Sequence, residues 1–487
     1  MNGDLVAHGV NTAAAFSGIA LLVNPIFRSN AIAKLAFSFS ARSYQRGAFS
    51  LLNRLAIVFF GFLNIFFMVR LLPKEEIGVW SLFLSVTTIL ELLRNGFIRN
   101  SLITHLVSAP TEDEQGRVIA ASWALHFALA ILTSVGLYFA AAPLSAFWEA
   151  PHLEKLFYIY IIRALLLVPA LQFEYLQQCE VNFKAIFWGT IVRLAPVGIY
   201  VVIKYVQVVL LNSGEPPTLF DIAIVQVLAT LASLGIGYYY VRQLKVFRWA
   251  ADLGSIRLLS GFGKYSMGTT ISSMIIKNTD SWMIGRMISV DGVASYNPAL
   301  RISNLIEVPT LAVANVVFPQ VYRKLEAEGA PGLQDVYTKS VSLILAMMVP
   351  LLIPLFVFSE EVIQLIFTTQ YREAAPILRV TLFFTVLIPF NRQFGTLMDG
   401  VKKPKVNFYL LVVMGLINIV TNYFLIGLYG PIGAAYGTLL AYIFIFIANQ
   451  VILYRLFEIN VFLVFPSIFT WYRTGWKLLV ETVSRKA

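Results

Sequence analysis

Cysteine occurs once in the 487-residue chain, at Cys179, and histidine four times, at His8, His105, His126 and His152. An intrachain disulfide is excluded, and the histidines are too scattered for metal-ligand spacing. Charge is also scarce, since Asp, Glu, Lys and Arg make up 13% of residues, against about a quarter in soluble domains. No G-x-x-x-x-G-K-[ST], G-x-S-x-G or H-E-x-x-H pattern occurs, which excludes P-loop ATP hydrolysis and two common hydrolytic sites. Long polar segments are missing too. The longest interval between apolar runs, about 242–262, holds one carboxylate, Asp252, too little for the catalytic loop of a membrane-embedded glycan-processing enzyme. That reading stays a minor alternative, and the chain is not read as an enzyme.

What is abundant is apolar surface. Hydrophobic residues make up 58% of the chain, and mean hydropathy is +0.75. A soluble fold could not hide so much, so the bilayer is the expected solvent. Runs of about 20 mainly apolar residues predict twelve helical spans near 51–71, 77–94, 118–140, 156–176, 185–205, 220–241, 263–285, 293–318, 340–358, 376–398, 406–427 and 431–454. Short turns such as Leu72-Pro73-Lys74 and Gly427-Leu428-Tyr429-Gly430-Pro431 separate them. The segment 461–480, with Pro466, Arg473, Lys477 and several aromatics, reads as an interfacial helix rather than a thirteenth span.

Loop lysines and arginines set the orientation, because cytoplasmic loops are enriched in both. The connection 242–264, with Arg242, Lys245, Arg248, Arg257 and Lys264, and the turn Lys402-Lys403-Pro404-Lys405 fall on one side. That side is expected to be cytoplasmic, with both termini. The same bias accounts for the net charge of +11, so no nucleic-acid partner is needed. At the start, Asn11–Val23 is mildly apolar but no basic residue precedes it, Arg28 being the first. A cleaved signal peptide is therefore not expected; a mobile or interfacial extension is.

The sequence repeats itself. A gapless match lays Asn64 on Asp280, Arg70 on Arg286, Glu75 on Asp291, Trp80 on Tyr296 and Glu91 on Glu307, and a looser one lays Pro169 on Pro389. Six spans separate the copies, so the halves share one topology and are parallel repeats, with binding expected between them. The expected organisation is an extension 1–44, a first six-helix bundle 45–241, a cytoplasmic connection 242–262, a second bundle 263–458 and a tail 459–487.

Four stretches carry a family resemblance: VRLLPKEEIGVWSLFLSVTTILELL (69–93), NTDSWMIGRMISVDGVASYNPALRISNL (278–305), YREAAPILRVTLFFTVLIPFNRQFGTLMDGVKKPK (371–405) and YGPIGAAYGTLLAY (429–442). They resemble the polysaccharide-transporter branch of the multidrug, oligosaccharidyl-lipid and polysaccharide exporter superfamily, over about 45–458. The resemblance implies an all-α polytopic membrane protein, two six-helix bundles around a central cavity, and alternating access. It also implies an undecaprenyl-diphosphate-linked oligosaccharide as cargo, such as an O-antigen or capsular precursor. The cargo would move from the inner to the outer leaflet of a bacterial cytoplasmic membrane. Membrane lipids, a polysaccharide polymerase and glycosyltransferases of the same pathway are the implied partners. No cofactor is expected beyond a proton or sodium gradient. A small-molecule exporter of the same fold is the other alternative.

Charged residues inside apolar runs point to the site. Each costs about 2.5–3.5 kcal/mol at mid-bilayer unless it meets water, a partner or the interface. Arg54, Arg163, Arg193, Lys277, Arg301 and Arg392 are the candidate phosphate-binding cations, three in each half. Gln172, Glu174 and Gln177 are candidate glycan contacts. Asp280, Glu307 and Glu91 are candidates for ion coupling, although Lys277 and Asp280 could form a structural pair and the two glutamates could brace equivalent helix ends. Arg70, Arg94, Lys204, Arg286 and Arg379 lie near span ends and read as snorkelling side chains.

Overall fold

The computed structural model describes residues 41–242, 252–401 and 403–484; the extension expected over 1–40 lies outside them. Every long apolar run becomes a helix, because only intrahelical bonding satisfies the backbone where water is absent. In the first half these are α1 Ala41–Leu71, α2 Lys74–Ser108, α3 Glu112–Phe147, α4 Pro151–Cys179, α5 Phe183–Tyr205 and α6 Leu219–Val241. The second half has α7 Leu253–Met287, α8 Val290–Ile306, α9 Val308–Val357, α10 Ser359–Phe367, α11 Ala374–Gly400, α12 Pro404–Tyr429 and α13 Pro431–Phe457. A last helix, α14, covers Val464–Ser484.

Local chemistry sets the ends. Thr111 caps α3 by accepting from the Glu114 amide, and Glu112, Asp113 and Glu114 occupy its first turn, where acids suit the helix dipole. Thr218 and Asp221 form a capping box on α6, Asn182 caps α5, and Asp252 and Ser289 cap α7 and α8. Pro at the first turn opens α4, α12 and α13, where its missing amide is no loss. Gly430 turns the chain at φ +66 between α12 and α13.

Ten helical stretches are long and apolar enough to cross a membrane, among the described residues. The first six expected spans are α1 to α6. The ninth is the second arm of α9, beyond a corner at Gly329 (φ 66), and the tenth to twelfth are α11, α12 and α13. The expected seventh and eighth coincide with α7 and with α8 continued by the first arm of α9. Neither is among the ten. The side chains of 262–276 in α7 lie outside the described residues, and α8 ends after 17 residues. Helix α7 already begins at Leu253, inside the expected connection 242–262; residues 243–251 of that connection lie outside the described ones. Helix α14 is not among the ten either. It runs beside the second arm of α9, with Trp471 Nε1 donating to Ser342 Oγ at 2.9 Å.

The first-half helices pack as α1 on α5, α5 on α6, α4 on α6 and α3 on α4; in the second half α9 packs on α11, α12 on α13 and α11 on α13. Helix α2 joins the halves, lying along α7 and α8. At Gly78 the two halves nearly touch backbone to backbone: a Cβ there would sit 2.1 Å from the Val290 carbonyl oxygen. No larger residue fits that crossing. The main apolar core runs through this end, shared by Leu82 and Phe83 of α2, Phe157 of α4, Ile284 of α7, and Val293 and Tyr296 of α8.

Candidate functional site

The polar side chains within the spans fall into four groups. The first joins α2 to α4. Arg163 Nη1 donates to Glu91 Oε1 at 2.8 Å, so one expected cation and one expected coupling carboxylate neutralise each other. One turn along α2, Arg94 has no exposed surface. It donates to the Ala164 carbonyl at 2.8 Å and to the Tyr160 hydroxyl at 3.3 Å. Snorkelling does not describe Arg94; the guanidinium is buried, and backbone oxygen of the neighbouring helix solvates it.

The second group lies among α4, α5 and α6, where Glu174, Gln177, Arg193, Ser233 and Tyr240 line a recess. Arg193 Nη2 donates to Glu174 Oε2 at 3.1 Å. Both amide atoms of Gln177, which is buried, lack a hydrogen-bond partner. Small residues, Ala170, Ala185 and Gly189, leave the space. Gln172 is not part of this recess. It is buried and donates to Ser122 Oγ of α3 at 2.7 Å.

The third group is a cage around Asp280 in the second half. Oδ2 accepts from the Tyr296 hydroxyl of α8 at 2.5 Å and from Thr438 Oγ1 of α13 at 2.8 Å. Oδ1 accepts from the amides of Asn422 and Asn418 of α12 at 2.6 and 3.3 Å. Four donors thus surround one buried carboxylate, which satisfies an ionised group without a counter-cation at contact distance. Lys277 is not one of the partners, so the intrahelical pair weighed from spacing does not form. Gly437 makes room: a Cβ there would lie 2.1 Å from Asn422 Oδ1. The cage is not duplicated in the first half, where Asn64, the repeat mate of Asp280, keeps a buried Oδ1 with no partner among the described residues.

The fourth group consists of cations without a close acid. Arg54, Lys277, Arg301 and Arg392 form no ion pair or side-chain hydrogen bond among the described residues. Arg54, Lys277 and Arg392 are exposed, and Arg301 is half-buried. Glu307, at the break between α8 and α9, feels the charges of Lys277 and Arg392, so these three residues share one region of the second half. Glu91 and Glu307 therefore behave differently despite their repeat relationship.

Tyr296, Asn418, Asn422 and Thr438 were not legible as site residues from charge alone. The signal that could have found them is the pair Asn418 and Asn422, four apart in the apolar run LINIVTNYF, hence on one helix face. A polar pair there needs a partner.

Sequence relatives agree with this architecture. Agl15 of Haloferax volcanii, whose name describes a low-salt glycan biosynthesis flippase, is 24% identical over 186 residues, 38% of this chain and 39% of that protein. Teichuronic acid biosynthesis protein TuaB of Bacillus subtilis is 22% identical over 303 residues, 61% of this chain and 60% of the relative. Succinoglycan biosynthesis transport protein ExoT of Rhizobium meliloti is 23% identical over 324 residues, 65% of this chain and 61% of the relative. The match thus spans between about two fifths and three fifths of each relative's length. Among solved structures, the lipid II flippase MurJ in an inward closed conformation superposes with a TM-score of 0.69 at 12% identity, covering 89% of this chain and 92% of that one. An inward-facing multidrug resistance MATE family transporter, described as of the MOP superfamily, gives 0.67 at 16% identity, covering 81% and 94%. These two likenesses establish the fold. With the model of the polysaccharide biosynthesis protein family matching residues 67–376, more than half of its length, this multi-pass membrane chain belongs to that family.

Proposed function

We propose that the protein is a flippase that carries an undecaprenyl-diphosphate-linked oligosaccharide from the inner to the outer leaflet of a bacterial cytoplasmic membrane by alternating access. The observation that carries this reading is the set of cations left without a close acid: Arg54, Lys277, Arg301 and Arg392. Such charges within spans need water, an anion or backbone carbonyls to meet them, and no carbonyl meets these side chains among the described residues. A diphosphate is the anion common to every lipid-linked glycan, and guanidinium groups bind its oxygens in bidentate fashion. A cationic drug would call for the opposite sign. Arg163 and Arg193 are better read as internal braces, each holding a glutamate, and Glu174 with Gln177 as the polar wall of the recess. The membrane orientation that follows puts the Ser255 end in the cytoplasm and the Lys74 end outside.

Energy for the cycle would come from a cation gradient acting at Asp280. Each asparagine amide of its cage can rotate to present oxygen instead of nitrogen, and Thr438 offers a hydroxyl oxygen. A sodium ion or a proton could then replace the donors. No enzymatic step is involved. The test is to change Arg54, Arg301 and Arg392 singly to Ala and to Lys, confirm membrane insertion, and measure accumulation of the lipid-linked glycan in the cytoplasmic leaflet. Accumulation with Ala and partial relief with Lys is the expected result; unimpaired flipping by all three Ala variants would discard the phosphate site.

A further inference from the structure

Two repeat-related arginines cross between the halves at the Lys74 end. Arg70 closes α1 and Arg286 closes α7, the first helix of each half. Arg70 Nη1 donates to the Phe66 carbonyl of its own helix at 2.6 Å and to the Ile366 carbonyl at 2.8 Å, while Nη2 donates to the Leu365 carbonyl at 2.7 Å. Leu365 and Ile366 lie in the last turn of α10, between the ninth and tenth spans. Arg286 Nη1 lies 3.7 Å from Glu149 Oε1, and its guanidinium carbon lies 5.4 Å from the centroid of the Phe147 ring. Glu149 and Phe147 lie between the third and fourth spans. Each arginine therefore reaches from the first span of its own half to the third–fourth connection of the other half.

The chemistry suits a clasp that holds and releases. The carbonyls of a last helical turn lack intrahelical donors, and a cation there also meets the negative end of the helix dipole. Arg70 thus caps α10 from the opposite half. Four nearby contacts cross the same seam: Lys74 Nζ lies 3.1 Å from Asp291 Oδ2 and 3.0 Å from Glu373 Oε2, Gln370 Nε2 donates to the Val69 carbonyl at 2.9 Å, and Trp148 Nε1 donates to the Trp282 carbonyl at 3.2 Å. Snorkelling, the expectation for Arg70 and Arg286, would leave both heads among lipid headgroups. Arg70 is spent on the other half through two carbonyl hydrogen bonds, and Arg286, half exposed, reaches it through an exposed ion pair.

We propose that Arg70 and Arg286 form a clasp, built twice by the internal repeat, that holds the Lys74 end shut, and that releasing both admits the state open at that end. The proposal rests on the transporter reading above and adds to it the residues that set the gate. Because the two arms are separate, each contributes independently to closure, and losing both multiplies the effects.

The test uses the full chain with Cys179→Ser and a single reporter, Ser81→Cys. Ser81 is buried, has no partner for its hydroxyl, and stands one turn beyond Gly78. Its modification by a membrane-impermeant maleimide added at the Lys74 face is timed in cells or oriented proteoliposomes. Arg70→Ala should speed labelling about tenfold, Arg286→Ala about threefold because its ion pair is exposed, and the double variant about thirtyfold. Arg→Lys at either position should fall between. The exchange Arg286→Glu with Glu149→Arg should restore slow labelling, whereas Arg286→Glu alone should not. A control reporter, Ser134→Cys, is also buried and without a partner, and should stay slow throughout. Unchanged labelling of Ser81→Cys in the double variant would overturn the clasp, and so would equal acceleration at Ser134→Cys, which marks general loosening. The readout contains no glycan. Normal gating without glycan transport would discard the cargo reading and leave the clasp standing.

Discussion

The amide nitrogen of Asn422 stands 2.6 Å from Asp280 Oδ1, and that bond ties α12 to α7 deep within the second half. It closes a ring of four donors from three helices around a single carboxylate. A group so fully hydrogen-bonded fixes the relative positions of α7, α8, α12 and α13 for as long as the charge remains.

Removing that charge should disconnect the ring. Asp280→Asn is expected to insert normally but to lose gradient-driven glycan transport by at least about tenfold, as is common for acidic residues in secondary transporters. Parental transport by Asp280→Asn and by Glu307→Gln, under imposed proton and sodium gradients, would leave both as structural braces. A steric version of the same test is Gly437→Ala, whose new methyl would meet Asn422 Oδ1 at 2.1 Å. We expect about 1–3 kcal/mol of destabilisation, read as a lower Tm in detergent.

The Glu91–Arg163 pair, at 2.8 Å, predicts non-additive mutations. Arg163→Gln alone leaves a carboxylate within the bundle and should destabilise by about 3 kcal/mol. Glu91→Gln with Arg163→Gln should cost much less than the sum of the single changes. Thermal unfolding of the four proteins of the cycle measures the coupling, and additive effects would show that the pair contributes nothing.

Orientation is tested at Ser255, beside the Asp252 cap of α7. In the Cys179→Ser background, Ser255→Cys should resist impermeant thiol reagent outside intact cells and react once the membrane is opened. Labelling from outside would reverse the assignment and with it the direction of transport.

Glu373 links closure to pH. The hydrogen bond from Lys74 and its positive charge hold the Glu373 carboxyl below the ordinary glutamate value. A depressed carboxyl contributes to the closed state above its unfolded pKa, about 4.3, and the contribution is lost as pH falls through the lower folded value. Closure should therefore be flat between about pH 5 and 8 and weaken only below about pH 4. Spin labels at Phe139 and Leu365, exposed positions in opposite halves, should report a fixed distance by pulsed EPR over the neutral range. Glu373→Gln should remove the acid step.

Most of the helical plan was legible because span length and turn chemistry are local. Pro73, Pro151 and Pro431, the Gly430 turn and the caps at Thr111 and Thr218 all mark ends that the chain uses. Helix overshoot was less legible: α2 continues to Ser108 beyond the expected end at 94, since helical bonding does not stop where apolar character does. The site was only partly legible. Charge within an apolar run flags Arg163 or Asp280 as costly but does not say who meets it, and the partners Glu91, Tyr296 and Asn422 come from other helices. Arg70 and Arg94 were misread for the same reason. Position near a span end suggests lipid headgroups, while the neighbour that takes the charge lies in a distant part of the sequence.

The seam that α2 makes with α7 and α8 is pinned at both ends. Gly78 meets Val290 at one, and Ser101 Oγ donates to the Leu259 carbonyl at the other, at 2.9 Å. The pins are about 35 Å apart along α2, at 1.5 Å per residue. Two rigid bodies joined along such a line can pivot only if it acts as a fulcrum, so strain that parts one pin presses the other together. Charged groups reinforce the first pin, and the exposed Arg117–Asp252 pair, at 3.4 Å, stands beside the second.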